Sequence, residues 1–188
     1  QIIKYHNNYD SNKKIMLPKR FKKVNIEIGF GNGDFLIKNA ISYPNELFIG
    51  IEVYLNGIAK VLTNISKIKL ENIILSHLNS IYFLEAIPYR SVDKIFIINP
   101  DPWIKKKHNK RRLISSEVIK LLINLIKSKN SIYITTDSEL YLKDMVSSIS
   151  KHIGNIGTYD VRILSKNDRL YGISRYQRKA IEKGEKIY

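Results

Sequence analysis

Apolar and polar positions follow two patterns that alternate along most of the chain. Short apolar runs predict strands, and longer stretches with apolar residues three or four positions apart predict helices. We expect strands at 24–28, 47–52, 72–76, 92–98, 131–136 and 159–164, and helices at 34–43, 55–68, 80–87, 115–128 and 139–152. Strands that alternate with helices indicate an α/β fold with a mostly parallel sheet and helices on both faces.

The two ends of the chain differ in character. Residues 1–23 are polar and basic with little periodicity, which predicts a mobile N-terminal tail. Residues 24–188 contain neither a repeat nor an obvious linker, and their length suits one hydrophobic core. We therefore expect a single domain over 24–188.

Composition narrows the class of protein. Of the 188 residues 44% are apolar, but no run approaches the length of a membrane span and the N-terminus lacks a signal-peptide core. Cysteine is absent, and the four histidines are scattered without ligand-like spacing, so no metal site is predicted. We expect a soluble cytoplasmic protein that has no membrane partner.

The net charge of +15 has two explanations. One is a polyanionic partner such as nucleic acid, and the other is compositional drift, since the chain is rich in Ile, Lys, Asn and Tyr. Six of the eight residues at 105–112 are Lys or Arg. Such clustering favours a nucleic-acid partner.

The strand that ends at Ile98 runs into Asn99-Pro100-Asp101-Pro102-Trp103. Proline cannot continue a central strand, so Asp101 is expected at the carboxyl edge of the sheet, where ligands bind in open α/β folds. Trp103 either stacks on a nucleotide or anchors the loop, and we favour the anchor. A carboxylate beside dense positive charge indicates carboxylate chemistry on an anionic polymer.

Gly29, Gly31 and Gly33 follow the first strand, two residues after Glu27. Glycines let a ligand approach the backbone closely. Asp34, the expected N-cap of the next helix, would repel a pyrophosphate, so the turn favours a nucleoside without phosphate. A purely structural turn is the alternative.

Three polar residues follow other expected strands. Glu52 is positioned to accept hydrogen bonds from ribose hydroxyls, and Asn79 could meet an adenine edge. Asp137 either caps the following helix or contacts the substrate.

The segments 27–33, 48–52, 100–112 and 135–137 resemble, in order and spacing, motifs of the bacterial tRNA (guanine-N7)-methyltransferases. The tail at 174–177 and 184–188 resembles the last motif of that family. The loop at 100–112 is the most specific of these segments, because many methyltransferases share the glycine turn.

The resemblance implies a Rossmann-like, S-adenosylmethionine-dependent methyltransferase fold, with a seven-stranded sheet whose last strand is antiparallel. It implies methylation of guanine N7 in the variable loop of tRNA, with S-adenosylmethionine as cofactor and Asp101 as the catalytic residue. The implied cofactor-binding residues are Glu27, Gly29, Gly31, Gly33, Glu52, Asn79 and Asp101. The implied substrate-binding residues are Lys105, Asp137, Ser174, Arg175, Tyr176 and Gln177.

The remaining basic residues of the loop are expected to bind RNA phosphates, which gives affinity without sequence choice. They are Lys106, Lys107, Lys110, Arg111 and Arg112. Whether the protein is a monomer or a homodimer stays open.

Three features depart from the family pattern. Asn99 stands where the family has phenylalanine, Ser174 and Gln177 stand where it has threonine and glutamate, and Tyr188 is the last residue where the final strand begins. Two alternatives therefore stay open: a catalytically impaired tRNA- or RNA-binding relative, and a methyltransferase acting on another substrate.

Guanine N7 carries a lone pair and no proton, so its methylation needs no general base. We expect Asp101 to position the guanine and to stabilise the charge that develops on the ring. Asp137 and Gln177 would hold its Watson–Crick edge.

Overall fold

The computed structural model describes residues 14–154, 157–164 and 174–188. Within these ranges no helix is long and apolar enough to cross a membrane. The strands are β1 (Lys23–Ile28), β2 (Glu46–Ile51), β3 (Ile73–Ser76), β4 (Val92–Ile98) and β5 (Ile126–Thr135). The helices are α1 (Asp34–Ser42), α2 (Leu55–Ile68), α3 (Ser80–Ala86), α4 (Ser116–Leu125), α5 (Glu139–Ile153) and α6 (Arg175–Glu182), and a 3-10 helix spans Lys106–Arg111.

The strands form one parallel sheet in the order β3-β2-β1-β4-β5. Helices α1 and α2 cover one face, where Leu36 and Val61 are fully buried. Helices α3, α4 and α5 cover the other, where Leu84, Leu122 and Tyr141 are fully buried. Because both faces are covered, β1 and β2 are buried at nearly every position, and the polar Asn25 and Glu27 of β1 are buried with the apolar residues. The expected α/β fold with a parallel sheet is confirmed.

The strand order determines where a ligand can bind. β1 is flanked by β2 on one side and β4 on the other, so the chain changes its winding direction between β1 and β4. The carboxyl ends of such neighbouring strands open a crevice, which is the usual ligand site of an open α/β sheet. Gly29 directly follows β1 and Asn99 directly follows β4.

The sheet has five strands over the described residues instead of the seven expected. The prediction of a strand at 159–164 was wrong, because this segment makes too few consecutive backbone hydrogen bonds with a neighbouring strand. Leu164 N–H donates to Ile187 O at 2.7 Å, and Thr136 and Tyr188 exchange backbone hydrogen bonds of 3.0 and 2.8 Å. The last two residues therefore bridge 157–164 and the end of β5.

The helix expected at 115–128 ends at Leu125, and β5 begins at the next residue. Ile126 pairs with Val92, and Lys127 Nζ donates to Asp93 Oδ2 at 2.6 Å. These contacts with β4 hold the chain extended. The helical spacing of apolar residues continues through Ile126, so periodicity alone could not locate the boundary.

Part of the expected tail is packed on the domain. Ile15 is 5% exposed, its N–H donates to Ala86 O at 2.8 Å, and Lys14 Nζ donates to Glu85 O at 2.6 Å. These contacts contradict a mobile tail at residues 14 and 15, and Lys23 already belongs to β1. Residues 1–13 lie outside the described ranges, so a tail there stays a prediction. The domain boundary at residue 24 stays a prediction.

Candidate active site

The glycine turn lies at the end of β1 with all three glycines in the left-handed region. The φ angles are 75° at Gly29, 54° at Gly31 and 74° at Gly33. A Cβ on Gly33 would lie 2.1 Å from Val61 Cγ2, so this glycine lets α2 pack against the turn. A Cβ on Gly29 or Gly31 would meet no atom of the described residues within 4 Å. The space above these two residues is open to a ligand.

Asp34 is the first residue of α1, and Gly33 occupies the N-cap position. The expectation that Asp34 caps the helix was therefore wrong by one residue. Its carboxylate remains in the first helical turn, where it interacts favourably with the helix dipole.

The Glu52 carboxylate is fixed by three backbone N–H groups. Its Oε2 accepts from Gly31 at 2.8 Å, and its Oε1 accepts from Val53 at 2.7 Å and Tyr54 at 2.9 Å. Each carboxylate oxygen can accept two hydrogen bonds, so acceptor capacity remains. The structure thus brings the predicted ribose acceptor to the glycine turn.

Glu27 lies in the middle of the sheet and is 4% exposed. Its Oε2 has no hydrogen-bond partner among the described residues. Burial, then the charge of Glu52, then that of Asp34 raise its pKa from 4.5 to about 8. A buried carboxyl group without a partner is costly, and a cationic ligand group would relieve that cost. Perturbed acids of this kind are typical of functional sites.

Asn79 is exposed and caps α3, with its Oδ1 accepting from Ile81 N–H at 3.0 Å. Since the oxygen serves the helix, the two N–H groups of its amide are the atoms best able to contact a ligand. The structure thus favours donation by Asn79 to a ring nitrogen.

Asp101 is exposed on the loop that leaves β4. Asn99 has φ 47° and its N–H donates to Thr135 O at 3.1 Å, and Trp103 has φ 41°. The Trp103 ring lies 5.6 Å from the His108 ring, and the Arg111 guanidinium stacks 5.0 Å from its centroid. These contacts agree with an anchoring role for Trp103.

The cations of the loop fall into two groups. Lys105, Lys107, Lys110 and Arg111 are exposed, as phosphate-binding residues should be. The Lys106 side chain lies outside what the structure describes.

Arg112 behaves differently, since only 9% of its side chain is exposed. Its Nε donates to Pro102 O at 2.7 Å, its Nη1 pairs with Asp144, and its guanidinium lies 5.0 Å from the Tyr141 ring centroid. Arg112 thus has three intramolecular partners that the sequence did not reveal, and its expected phosphate contact stays a prediction.

Gln177 is 2% exposed and its amide is used within the protein. Its Oε1 accepts from Ser174 N–H at 3.0 Å, and its Nε2 donates to Asn99 Oδ1 at 3.0 Å and Thr135 Oγ1 at 2.9 Å. The Ser174 hydroxyl in turn accepts from Gln177 N–H, which completes a capping box at the start of α6. Both side chains are thus used within the protein, and their contact with the guanine stays a prediction.

The orientation of the Asn99 amide follows from these contacts. A backbone N–H is only a donor, so the Gln177 atom facing Ser174 is oxygen and the one facing Asn99 is nitrogen. The Asn99 atom that meets it must be oxygen. Asn99 Nδ2 is left buried without a partner among the described residues.

The structure brings together Asp137 and Tyr176, two residues that the sequence predicted to bind substrate. Tyr176 OH donates to Asp137 Oδ2 at 2.5 Å, and this hydrogen bond, with burial, raises the pKa of Tyr176 to about 12. Ser138, not Asp137, caps α5. Tyr176 is 54% exposed and Arg175 is also exposed, so both can reach a ligand.

Sequence reasoning missed Thr135, Tyr141 and Asp144. Thr135 lies in a noted motif, but nothing in its spacing revealed a contact with Gln177, 42 residues away. Asp144 lies 32 residues from Arg112 on the solvent side of an amphipathic helix, where a carboxylate is ordinary.

Comparison with known proteins identifies the relatives of this chain. Residues 22–188 match the model of a protein family described as "Putative methyltransferase". The tRNA (guanine-N(7)-)-methyltransferase of Wolbachia pipientis is 35% identical over 88% of this chain and 72% of its own length. The chain belongs to the tRNA (guanine-N7-)-methyltransferase family. The resemblance predicted from the motifs is thereby confirmed.

A second relative is a longer protein. A bifunctional methyltransferase of Rickettsia conorii is 40% identical over 92% of this chain, which spans only 32% of that protein. The chain thus spans about a third of the length of the Rickettsia protein it matches.

Solved structures support the fold. A 16S rRNA methyltransferase superposes with a TM-score of 0.66 over 89% of this chain and 86% of its own, at 12% identity. An antibiotic-related methyltransferase gives 0.61 over 93% and 92%, at 22% identity. At such identities these similarities establish the methyltransferase fold alone.

Proposed function

We propose that this protein transfers the methyl group of S-adenosylmethionine to N7 of a guanine in tRNA, in the variable loop that the family resemblance indicates. The observation that carries the proposal is the arrangement at the switch point. The unpartnered Glu27 lies near the end of β1 and the open glycine turn follows it, and Asp101 with its cationic loop follows the adjacent β4. The proposed cofactor and substrate sites would therefore meet in one crevice.

The residues at β1, β2 and β3 fit S-adenosylmethionine. Open space above Gly29 and Gly31 admits it to the backbone, and the orphaned Glu27 carboxyl suits its ammonium group. The fixed Glu52 carboxylate suits the ribose hydroxyls, and the Asn79 amide suits an adenine nitrogen. When bound, the cofactor supplies an electrophilic methyl group on sulfur.

Asp101 lies at the border between the two sites. Guanine N7 has no proton to lose, so catalysis needs alignment of the base and stabilisation of the positive charge that develops on it. Good alignment alone can contribute about 7–11 kcal/mol in favourable cases. An exposed carboxylate on a loop held at both ends meets both needs. Asp137 and Tyr176 would contact the same base, with the hydrogen bond between them opening or being shared.

Four exposed cations would hold the tRNA backbone: Lys105, Lys107, Lys110 and Arg111. Phosphate contacts give affinity that weakens steeply with salt. N7 lies on the major-groove edge of guanine, so the base would leave its stack to reach Asp101.

The test is to incubate the protein with methyl-labelled S-adenosylmethionine and unmodified tRNA transcripts, then identify the modified nucleoside by mass spectrometry. We expect the product to be 7-methylguanosine. Nuclease mapping should locate it in the variable loop. Binding of both ligands without transfer would contradict it and favour the impaired RNA-binding relative. Transfer to another base or another class of molecule would also contradict it.

A further inference from the structure

Arg112 contacts the loop that carries Asp101 at two successive carbonyls. Its Nε donates to Pro102 O at 2.7 Å, and its Nη2 lies 3.5 Å from Trp103 O. Pro102 directly follows Asp101 in the chain. Arg112 therefore holds the peptide groups immediately beyond the catalytic carboxylate.

The other side of the guanidinium is fixed to α5. Nη1 pairs with Asp144, and the guanidinium lies 5.0 Å from the ring centroid of Tyr141. Tyr141 is fully buried and its OH accepts from Ile114 N–H at 2.9 Å, so this end rests on the hydrophobic core. Arg112 thus connects a rigid helix to an exposed loop.

The Asp101 side chain itself makes no hydrogen bond or ion pair that would hold it among the described residues. Its carboxylate is exposed and accepts no hydrogen bond there, so its position is set by the loop backbone. Asn99 and Trp103, on either side of Asp101, both have positive φ, a conformation that costs free energy in residues other than glycine. Such a backbone persists only where surrounding contacts hold it.

We infer that Arg112 is a positioning residue that holds the loop 99–103 so that Asp101 lies over the cofactor crevice, rather than a residue that binds phosphate. The guanidinium is suited to this task because its planar fork can donate to a carboxylate and to carbonyls at once. The catalytic consequence of this inference rests on the proposed function.

The structure offers a matched control in the same loop. Lys110 lies two residues away, is exposed, and its side chain makes no hydrogen bond or ion pair among the described residues. If the two residues have different tasks, Arg112 substitutions should change catalysis and Lys110 substitutions should change tRNA binding.

The kinetic experiment compares Arg112→Lys, Asp144→Asn and Lys110→Ala with the wild-type protein. Arg112→Lys keeps the charge but loses the fork, so we expect kcat to fall by about tenfold to a hundredfold, since small misplacements of reacting groups have effects of this size. KM for tRNA and its salt dependence should stay near wild type. Asp144→Asn should lower kcat in the same direction by a smaller factor. Lys110→Ala should raise KM and reduce the salt slope by about one, with kcat retained.

A second readout needs no activity, because Trp103 is the single tryptophan. In the free protein, Arg112→Lys should increase acrylamide quenching of Trp103 fluorescence and lower its anisotropy, while Lys110→Ala should leave both unchanged. Thermal unfolding checks that each variant is folded at the assay temperature.

The inference is overturned if Arg112→Lys leaves Trp103 quenching and kcat at wild-type values. It is also overturned if the variant behaves as Lys110→Ala does, with a higher KM and a lower salt slope. A wild-type protein that methylates no tRNA would contradict the proposed function instead, and the quenching comparison would still decide whether Arg112 holds the loop.

Discussion

The two halves of the crevice are built in different ways. In the half formed by β1, β2 and β3, the backbone does the positioning: left-handed glycines shape the turn, and three N–H groups fix Glu52. In the half formed by β4, β5 and α6, side chains hold one another. Gln177 reaches Asn99 across 78 positions of sequence, and Tyr176 reaches Asp137 across 39.

This difference suggests a division of labour. A backbone-built site is rigid and suits a cofactor that is the same in every turnover. A side-chain-built site can be adjusted by substitution, and it is here that Asn99 and Gln177 depart from the family pattern while contacting each other. Substitutions in the first half should therefore act on folding and cofactor binding, and those in the second on substrate and catalysis.

The largest effect is expected from Asp101→Asn, in the second half. Loss of the charge that stabilises the developing cation should lower kcat by about 10²–10³-fold, the size seen when one electrostatic contact to a transition state is removed. The melting temperature should stay near wild type because Asp101 is exposed. Single-turnover methyl transfer measures the change, with the exposed Asp160→Asn as control. Unchanged transfer would remove Asp101 from the mechanism.

In the first half, Gly33→Ala should lower the stability of the folded protein. The added Cβ would lie 2.1 Å from Val61 Cγ2 at a residue with φ 74°. Overpacking and left-handed strain together predict a loss of about 2–5 kcal/mol in the free energy of unfolding. Gly184→Ala is the control, because Gly184 has φ 80° but no atom of the described residues lies within 4 Å of its added Cβ, and it should lose only about 1–2 kcal/mol. Equal losses in urea unfolding would show that packing against α2 is unimportant.

Glu27 makes the first half sensitive to pH. Its carboxyl is mostly protonated in the folded protein at pH 7, since its pKa is about 8, but ionised in the unfolded chain, where the ordinary value is 4.5. Folding therefore takes up a proton between these values. The stabilisation present below about pH 4.5 should be lost as pH rises through 8, by at most about 1.4 kcal/mol per pH unit.

Glu27→Gln should flatten this pH dependence and raise the free energy of unfolding at pH 8, because a neutral amide replaces a buried carboxyl group that is costly to ionise. Cationic cofactor should favour the ionised carboxyl, so wild-type affinity should rise from pH 6 to pH 8 with release of a proton, measured by calorimetry in two buffers. The variant should bind more weakly without that release. Parallel stability curves for the two proteins would contradict the assignment.

The smallest effect is expected at the contact between α6 and the strand ends. Gln177→Ala removes hydrogen bonds to Asn99 and Thr135 and should lower the free energy of unfolding by about 1–3 kcal/mol. The exposed Arg178→Ala is the control. In a double-mutant cycle, Asn99→Ala and Gln177→Ala should be non-additive. Additive effects would show that the two departures are energetically independent.

The half formed by β1, β2 and β3 could be predicted from the sequence better than the half formed by β4, β5 and α6. The positions of Glu27, Glu52 and the glycines relative to the strand ends could be predicted from the sequence, because strand ends and tight turns depend on residues that are adjacent in the chain. The roles of Arg112 and Gln177 could not, because each is decided by a partner far along the chain. The fold class was predictable from periodicity, but the strand count was not, since backbone pairing at the outer edge of β5 depends on the last two residues.

The most direct measurement compares methyl transfer to tRNA transcripts made with guanosine and with 7-deazaguanosine, which differs at the proposed acceptor atom. If N7 is the acceptor, we expect transfer to the first transcript and none to the second, with both bound in a filter assay at similar affinity. Transfer to the 7-deaza transcript would show that the acceptor is another atom and would contradict the account.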